Sequence, residues 1–288
     1  MDTEKIKSFK RKISAKKIQK SFRNQQIKKR KIDDDALSRF LAPISGTQKA
    51  YVNSQFQKTD VVISKERINI TGTMFKRLKP AQGTNSWLSG DIIDAWTFHL
   101  QSLQKNNFYF SYTFMWKLMS QKHVTFEDLK RLLLLKTAGD KRPKKYVQIF
   151  KRMDIFIPVH VTENHWVLVV VNVKDRLITY LDSLTSTPKV KSDIIEEIWS
   201  FFAQCAEDRD LNEKSINYHV GEWRVDENTE SPQQRNTIDC GVFLCANMFY
   251  LSYDFSPNFT QENIPEIRYR IALTLLDNYR PQEIIDIE

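Results

Sequence analysis

A cysteine stands where a polar loop changes into an apolar helix, in the segment 234–248. The residues after Cys240 and Gly241 are mostly apolar and predict a largely buried helix that begins near the cysteine. Unpaired backbone N–H groups and the positive end of the helix dipole favour a thiolate at such a position. A thiolate is the nucleophile of a cysteine hydrolase, and the neighbouring N–H groups can hold a developing oxyanion. The alternative is that Cys240 is a small core residue, as most free cysteines are.

A histidine and an aspartate stand at the outer ends of two consecutive predicted strands. One strand begins at His165, the other ends at Asp182, and a polar break at 174–175 separates them. A tight hairpin at that break places Val167 opposite Asp182, with His165 two residues along on the same face. Diagonal neighbours of this kind have Cβ atoms about 7–8 Å apart, within reach of an imidazole–carboxylate hydrogen bond. Each residue also has an ordinary structural interpretation: His165 as a strand-edge residue and Asp182 as a turn cap.

Together with a helix-leading cysteine, this pair predicts a catalytic constellation. His165 can deprotonate the thiol of Cys240, and the carboxylate of Asp182 can hold the imidazole tautomer. Gln234 can donate an amide N–H to an oxyanion. Asp239 is a less suitable orienting carboxylate, because it adjoins the nucleophile and its charge disfavours a thiolate.

The surrounding pattern predicts the elements that must position these residues. A helix is expected from Ser89, its N-cap, with inward-facing apolar residues at helical spacing: Ile92, Ile93, Trp96 and Leu100. A second helix is expected over 125–135, capped by Thr125, with three leucines facing inward: Leu129, Leu132 and Leu133. A further strand is expected over 154–160.

Composition excludes several classes of site. The 288 residues include three cysteines, too few and too unevenly spaced for a paired disulfide framework or a zinc site. No signal-peptide pattern is visible, and no apolar run reaches the roughly 18 residues that span a bilayer. No GxGxxG or Walker pattern is found. We therefore expect a soluble intracellular protein of the nucleus or cytoplasm. If it is a pathogen effector, that cell would be the host cell. We expect no metal or other cofactor.

The net charge of +9 is concentrated at the N-terminus. Residues 1–31 contain thirteen Lys or Arg and two Asp or Glu, so they carry +11 and the remainder −2. The body is therefore not expected to bind nucleic acid. We expect a basic, disordered tail over 1–31, a linker and irregular entry segment over 32–80, and the folded domain over 81–288.

The tail has three candidate partners; the alternative is that it stays solvated and binds none of them. Ile18, Gln19 and Arg23 are spaced as in an IQ motif that binds a calmodulin-like protein, although Asn24 stands where that motif prefers glycine. The basic run 28–31 is typical of a nuclear localisation signal read by an import receptor, or of a patch that binds an anionic membrane.

The chain resembles the Ulp/SENP family of ubiquitin-like-protein proteases, the adenain-like cysteine proteases, over about residues 87–251. The resemblance is carried by the His-Trp pair at 165–166, by Asp182 in YLDS, and by Gln234 six residues before Cys240 in DCG. The order His, Asp, Gln, Cys and the intervals between them match that family. It implies an α+β, papain-like (adenain-type) fold, in which a central mixed sheet packs against the helix that carries the nucleophile.

By this resemblance Cys240 is the nucleophile, His165 the general base, Asp182 its orienting residue and Gln234 the oxyanion-hole donor. Trp87 and Trp166 match the tryptophans that line a narrow channel for a Gly-Gly C-terminus.

The implied activity is cleavage after the Gly-Gly of a ubiquitin-like modifier: SUMO first, then ubiquitin or NEDD8. The alternatives are an acetyltransferase effector with the same triad, an adenain-like polyprotein-processing protease and an inactive modifier-binding module. One departure is Gly90, which stands where the family usually has an acidic residue. Contacts with the modifier depend on this position.

Overall fold

The structure is a computed structural model of the chain. It describes nine stretches of sequence: 34–65, 68–80, 86–112, 124–134, 146–161, 165–184, 188–212, 222–226 and 230–279. The basic tail over 1–31 lies outside the described residues.

The described elements alternate between helices and short strands in an α+β arrangement. The helices are α1 (Asp34–Leu41), α2 (Gly46–Gln55), α3 (Gly72–Phe75), α4 (Gly90–Leu103), α5 (Phe126–Leu132), α6 (Pro188–Glu207), α7 (Cys240–Ser252) and α8 (Ile264–Tyr279). The strands are β1 (Val61–Lys65), β2 (Ile68–Thr71), β3 (Phe108–Tyr109), β4 (Asp154–Val161), β5 (His165–Asn172), β6 (Leu177–Leu181) and β7 (Arg224–Asp226). Short 3₁₀ turns lie at Lys76–Leu78, Ile149–Lys151 and Gln261–Asn263.

The central sheet is mixed and has the order β3-β4-β5-β6-β7. Its two outer pairs are parallel, and the pairs β4-β5 and β5-β6 are antiparallel. The register of β5 and β6, with Leu168 opposite Leu181, is the one that the hairpin argument predicts. The last ladder pair is Asn172 with Leu177, so the connecting loop spans 173–176 and is longer than expected. Within it, the Asn172 side chain accepts the N–H of Asp175. The predicted pairing is confirmed and the two-residue turn is wrong.

The sheet separates two hydrophobic cores, and the alternation of residues along β5 feeds both. Leu168 and Val170 point towards α7, α4, α8 and the N-terminal elements. Val167, Val169 and Val171 point towards α6 on the opposite face. Strand β5 is buried on both faces, which explains why its sequence is a continuous apolar run. The predicted packing of a mixed sheet against the helix that begins at Cys240 is confirmed.

Residues 34–78 are not the linker and irregular segment expected from the sequence. They form α1, α2, the β1-β2 hairpin and α3, and eight of their apolar side chains join the core on the α7 face. Phe40 stacks on Phe249 of α7 with ring centroids 3.9 Å apart. The prediction failed because each element is short and buries few residues: α2 buries only Val52 and Gln55, too thin a stripe to show a period.

The two predicted helices of the body are present. Ser89 and Thr125 occupy the N-cap positions of α4 and α5, and Thr125 forms a full capping box with Asp128. The inward residues of α4 are all buried. On α5, however, Leu132 is 41% exposed, so its predicted inward orientation is wrong. No helix within the described ranges is long and apolar enough to cross a bilayer.

Candidate active site

His165 and Asp182 meet at the end of the central sheet. His165 is the first residue of β5, and Asp182 directly follows β6. The imidazole Nε2 donates to Asp182 Oδ1 over 2.6 Å. The same carboxylate oxygen accepts the backbone N–H of Leu184 at 2.8 Å, which fixes its orientation. The diagonal contact expected from the hairpin register is therefore present.

The surroundings of His165 favour its charged form. Burial alone would lower its pKa, but hydrogen bonding and charge from Asp182 and from Cys240 raise the pKa from 6.5 to about 9. The second ring nitrogen, Nδ1, is buried. Since Nε2 carries the proton held by Asp182, Nδ1 is the nitrogen available to the thiol of Cys240.

Cys240 is the first residue of α7 and is 1% exposed. The helix begins there because Asp239 is its N-cap and the Asp239 carbonyl accepts the N–H groups of Val242 and Phe243. Because backbone N–H groups at a helix start point along the axis away from the helix, the thiol lies beside the positive end of the helix dipole. The position expected from the sequence is confirmed.

Gln234 is buried against the segment that follows β6. Its backbone N–H donates to the carbonyl of Ser183 at 2.9 Å, and the Ser183 hydroxyl donates to Gln234 Oε1 at 2.6 Å. Its side-chain Nε2 donates to the carbonyl of Asn236. An amide nitrogen carries two N–H groups, so one remains for a further acceptor. Through Ser183, the residue after Asp182, Gln234 is thus held close to the His165–Asp182 pair.

Trp87 and Trp166 are each joined by an indole hydrogen bond to a loop of the site. The Trp87 N–H donates to the carbonyl of Thr237, three residues before Cys240, at 2.7 Å. The Trp166 N–H donates to the carbonyl of Leu88 at 3.1 Å. Trp166 is only 4% exposed, whereas Trp87 is half-buried. Trp87 therefore presents the more accessible ring, and Trp166 can border a channel by one edge only.

A comparison with protein families decides the classification of this chain. The model of the Ulp1 protease family, C-terminal catalytic domain, matches residues 86–280. The chain belongs to the Ulp1 protease family. That match includes the His, Asp, Gln and Cys positions described above.

Two curated relatives carry the name of this family. Ubiquitin-like-specific protease 1A of Arabidopsis thaliana is 29% identical over 248 residues, which cover 81% of this chain and 45% of the relative. Ubiquitin-like-specific protease 1 of Saccharomyces cerevisiae is 26% identical over 244 residues, 85% of this chain and 33% of the relative. The chain thus spans less than half the length of these two relatives.

A solved Ulp1 structure has the same fold. The C-terminal Ulp1 protease domain in complex with Smt3, the yeast ortholog of SUMO, superposes with a TM-score of 0.65 at 22% identity. The superposition covers 82% of this chain and 96% of that one. The α+β fold expected from the sequence is therefore that of a Ulp1 catalytic domain.

Gly90 stands where the resemblance led us to expect an acidic residue, and the structure shows what fills the space. A Cβ at Gly90 would lie 2.2 Å from the Cε1 atom of Tyr112. The Tyr112 ring packs edge-to-face on Trp166, with centroids 5.7 Å apart. Its backbone N–H donates to Asp94 Oδ1 at 2.7 Å. Glycine fits here because the Tyr112 ring occupies the space that a Cβ would fill.

Sequence reasoning missed a buried arginine that binds the residue preceding the nucleophile. Arg268 on α8 is 2% exposed and binds Asp239 through two nitrogen atoms. One signal could have found it: Arg268 shares a helical face with Ile264, Ile271 and Leu275, so an arginine occupies a core position. A buried arginine is rare unless it is paired, which predicts a buried acidic partner.

Proposed function

We propose that this chain is a cysteine protease and isopeptidase that cleaves after the C-terminal Gly-Gly of a ubiquitin-like modifier. The observation that carries the proposal is the 2.6 Å His165–Asp182 hydrogen bond beside a cysteine at a helix N-terminus. A nucleophile that contacts a base, which in turn contacts an orienting carboxylate, forms a hydrolytic triad. Membership of the Ulp1 family supports the same chemistry.

The geometry supports a specific division of roles. With a pKa of about 9, His165 is an imidazolium at neutral pH and favours the thiolate of Cys240. The thiolate attacks the carbonyl of the terminal glycine, and His165 then donates its Nδ1 proton to the departing amine of a lysine or a precursor tail. In the second step the neutral imidazole takes a proton from water, which hydrolyses the thioester.

The oxyanion of each tetrahedral intermediate needs hydrogen-bond donors. The backbone N–H groups at the start of α7 are one source, and the second N–H of Gln234 is the other. The Ser183 hydroxyl donates to Gln234 Oε1 and the Asn236 carbonyl accepts from Gln234 Nε2, which keeps the donor fixed before reaction. Fixed donors stabilise a developing charge without having to reorganise.

We propose a Gly-Gly tail because Trp87 and Trp166, which match the tryptophans expected to line a narrow channel, lie around the start of α7. Gly241 already contacts Leu88 and Trp166: a Cβ there would lie 2.9 Å from Leu88 Cβ and 3.3 Å from Trp166 Cδ1. The Trp87 indole is held against the loop before Cys240 by its hydrogen bond to the carbonyl of Thr237. Residues without side chains fit such a slot, which rejects bulkier tails by steric exclusion.

SUMO is the first candidate modifier, followed by ubiquitin and NEDD8. The support is the name of the Arabidopsis relative, a ubiquitin-like-specific protease, and the solved Ulp1 domain in complex with yeast SUMO. We place the protein inside the cell, in the nucleus or cytoplasm, in agreement with three free cysteines. Its tail partner would be an import receptor, an anionic membrane or a calmodulin-like protein.

Fluorogenic SUMO, ubiquitin and NEDD8 substrates test the proposal directly. Cys240→Ala should abolish hydrolysis while modifier binding persists. Cys245→Ala is the matched control, since Cys245 lies on the same helix, is fully buried and has its pKa raised by burial. Gln234→Ala should lower turnover by about 10²–10³-fold, the usual loss for one oxyanion donor.

Two outcomes would contradict the proposal. Hydrolysis by Cys240→Ala would remove the assigned nucleophile. Transfer of an acetyl group from acetyl-CoA to Cys240, without cleavage of any modifier, would favour the acetyltransferase alternative.

A further inference from the structure

A buried carboxylate lies immediately beside the proposed nucleophile. Asp239 precedes Cys240 in the chain and is 4% exposed. An unneutralised negative charge at this position would oppose the thiolate that the chemistry needs. Desolvated carboxylates are also costly unless they are paired. Some group must therefore compensate Asp239.

Arg268 is that group, and its contacts exceed those of a simple ion pair. Its Nε and Nη2 atoms donate to Asp239 Oδ1 at 2.9 and 2.6 Å. The other carboxylate oxygen, Oδ2, accepts the side-chain amides of Asn236 at 2.6 Å and Gln261 at 2.7 Å. The side chains of Arg268 and Asp239 are 2% and 6% exposed, so solvent contributes little screening. The charge of Asp239 is thus compensated within the protein.

The same guanidinium also joins two walls of the site. Its remaining N–H groups donate to the carbonyls of Arg77 at 2.7 Å and Ser86 at 3.0 Å, with a longer contact to Ile238 at 3.3 Å. Ser86 precedes Trp87, and Ile238 lies two residues before Cys240. A planar group with five donors can hold both segments at once, which a lysine cannot do.

We infer that Arg268 is a positioning residue that keeps Cys240 reactive in two ways: it cancels the charge of Asp239, and it fixes the Trp87 segment against the nucleophile loop. The inference rests on the proposed function of Cys240. The ionisable groups that bear on the thiol are His165 from β5, Asp182 after β6, Asp239 from its own loop and Arg268 from α8. Only the last two are changed in the test.

The test is the pH dependence of Cys240 alkylation by iodoacetamide, followed by mass spectrometry of the peptide that contains it. Arg268→Met leaves Asp239 uncompensated and should raise the pH of half-maximal alkylation by about one unit, a tenfold loss of thiolate on the acid side. Asp239→Asn leaves Arg268 uncompensated and should lower that pH. The double variant Arg268→Met/Asp239→Asn should return close to the wild-type midpoint.

Arg268→Lys separates charge from geometry. It keeps the positive charge, so its alkylation midpoint should match that of the wild type. It loses the forked contacts to Ser86 and Ile238, so kcat/KM on a modifier substrate should fall about tenfold or more. A residue that only stabilised the fold would lower the melting temperature of these variants and leave every alkylation midpoint unchanged.

The results decide the inference even if Arg268→Met does not fold. In that case Asp239→Asn and the double variant still have opposite expectations, a lowered and a restored midpoint. Identical midpoints in all folded variants would overturn the inference. Alkylation needs no modifier, so this failure is distinguishable from failure of the proposed function. If the proposed function failed, the wild-type thiol would react like an ordinary cysteine, or no modifier would be cleaved.

Discussion

Replacing Gly90 by alanine tests the packing that connects the start of α4 to Trp166. An alanine Cβ would lie 2.2 Å from Tyr112 Cε1 and 2.5 Å from Cδ1 and Cζ. Carbon atoms in ordinary contact are about 3.5–4.0 Å apart, so the ring must move by at least about 1.3 Å. Gly90 does not adopt a positive φ, so its backbone accepts alanine and the ring alone must yield.

The expected cost follows from what holds the ring. Loss of the edge-to-face contact between Tyr112 and Trp166, 5.7 Å between centroids, removes about 0.5–1.5 kcal/mol. Overpacking typically costs about 1–3 kcal/mol, and the half-buried ring limits this by turning towards solvent. Replacement of glycine by alanine otherwise stabilises by about 0.4–1 kcal/mol. We expect Gly90→Ala to destabilise the protein by about 1–2 kcal/mol.

Urea unfolding gives the free energy of unfolding for each variant. Gly46→Ala is the matched control, because Gly46 also begins a helix and a Cβ there meets nothing within 4 Å. It should be neutral or slightly stabilising. In a Tyr112→Ala background, Gly90→Ala should lose its cost, which gives a coupling energy of about 1–3 kcal/mol in the double-mutant cycle.

Activity provides the second measurement. Because Tyr112 packs on Trp166, Gly90→Ala should reduce modifier cleavage and Gly46→Ala should not. Equal stability and activity of Gly90→Ala and wild type would refute the packing argument. So would an alanine effect at Gly90 that is the same with and without the Tyr112 ring.

Three further predictions follow from the site and the tail. Asp182 and Cys240 together raise the pKa of His165 to about 9, so the stability from the Asp182 contact is fully present below pH 6.5 and is lost as pH rises through about 9. The urea midpoints of wild type and Asp182→Asn should differ most near pH 6.5 and converge above pH 9, whereas a constant difference would contradict the assignment. Removal of residues 1–31 should leave turnover of a small soluble substrate nearly unchanged and alter partner binding or localisation; loss of cooperative unfolding would show instead that the tail is docked. In the wild type we expect cleavage of Gly-Gly tails to be about 10–200-fold faster than cleavage of Ala-Gly tails. Trp166→Ala should reduce overall cleavage efficiency and narrow this preference. Equal wild-type rates on both tails would eliminate the channel.

The parts of the site that sequence predicted are those set by local geometry. The contact of His165 with Asp182 follows from one short hairpin, since the register of two adjacent strands fixes which residues are diagonal neighbours. The position of Cys240 at a helix N-terminus follows from the change of pattern within a few residues. Neither inference needed the tertiary fold.

The parts that sequence missed depend on residues far apart in the chain. Arg268 and Asp239 are separated by 29 positions, and no local pattern identifies their pairing. The fit of Tyr112 against Gly90 spans two elements in the same way. The N-terminal elements were missed because each buries only a few side chains, and their order comes from contact with α7 and α8 rather than from their own periodicity.

The packing of residues 34–78 has a practical consequence for any shortened form of the protein. The family match begins at residue 86, yet the core around Cys240 includes Phe40, Phe56, Ile70 and Phe75 from upstream. A fragment trimmed to the matched boundary would expose the apolar surfaces of α4, α7 and α8 that these residues cover, and a patch of this kind promotes aggregation. We therefore expect the folding unit to start well before the matched range, and expression trials should keep α1.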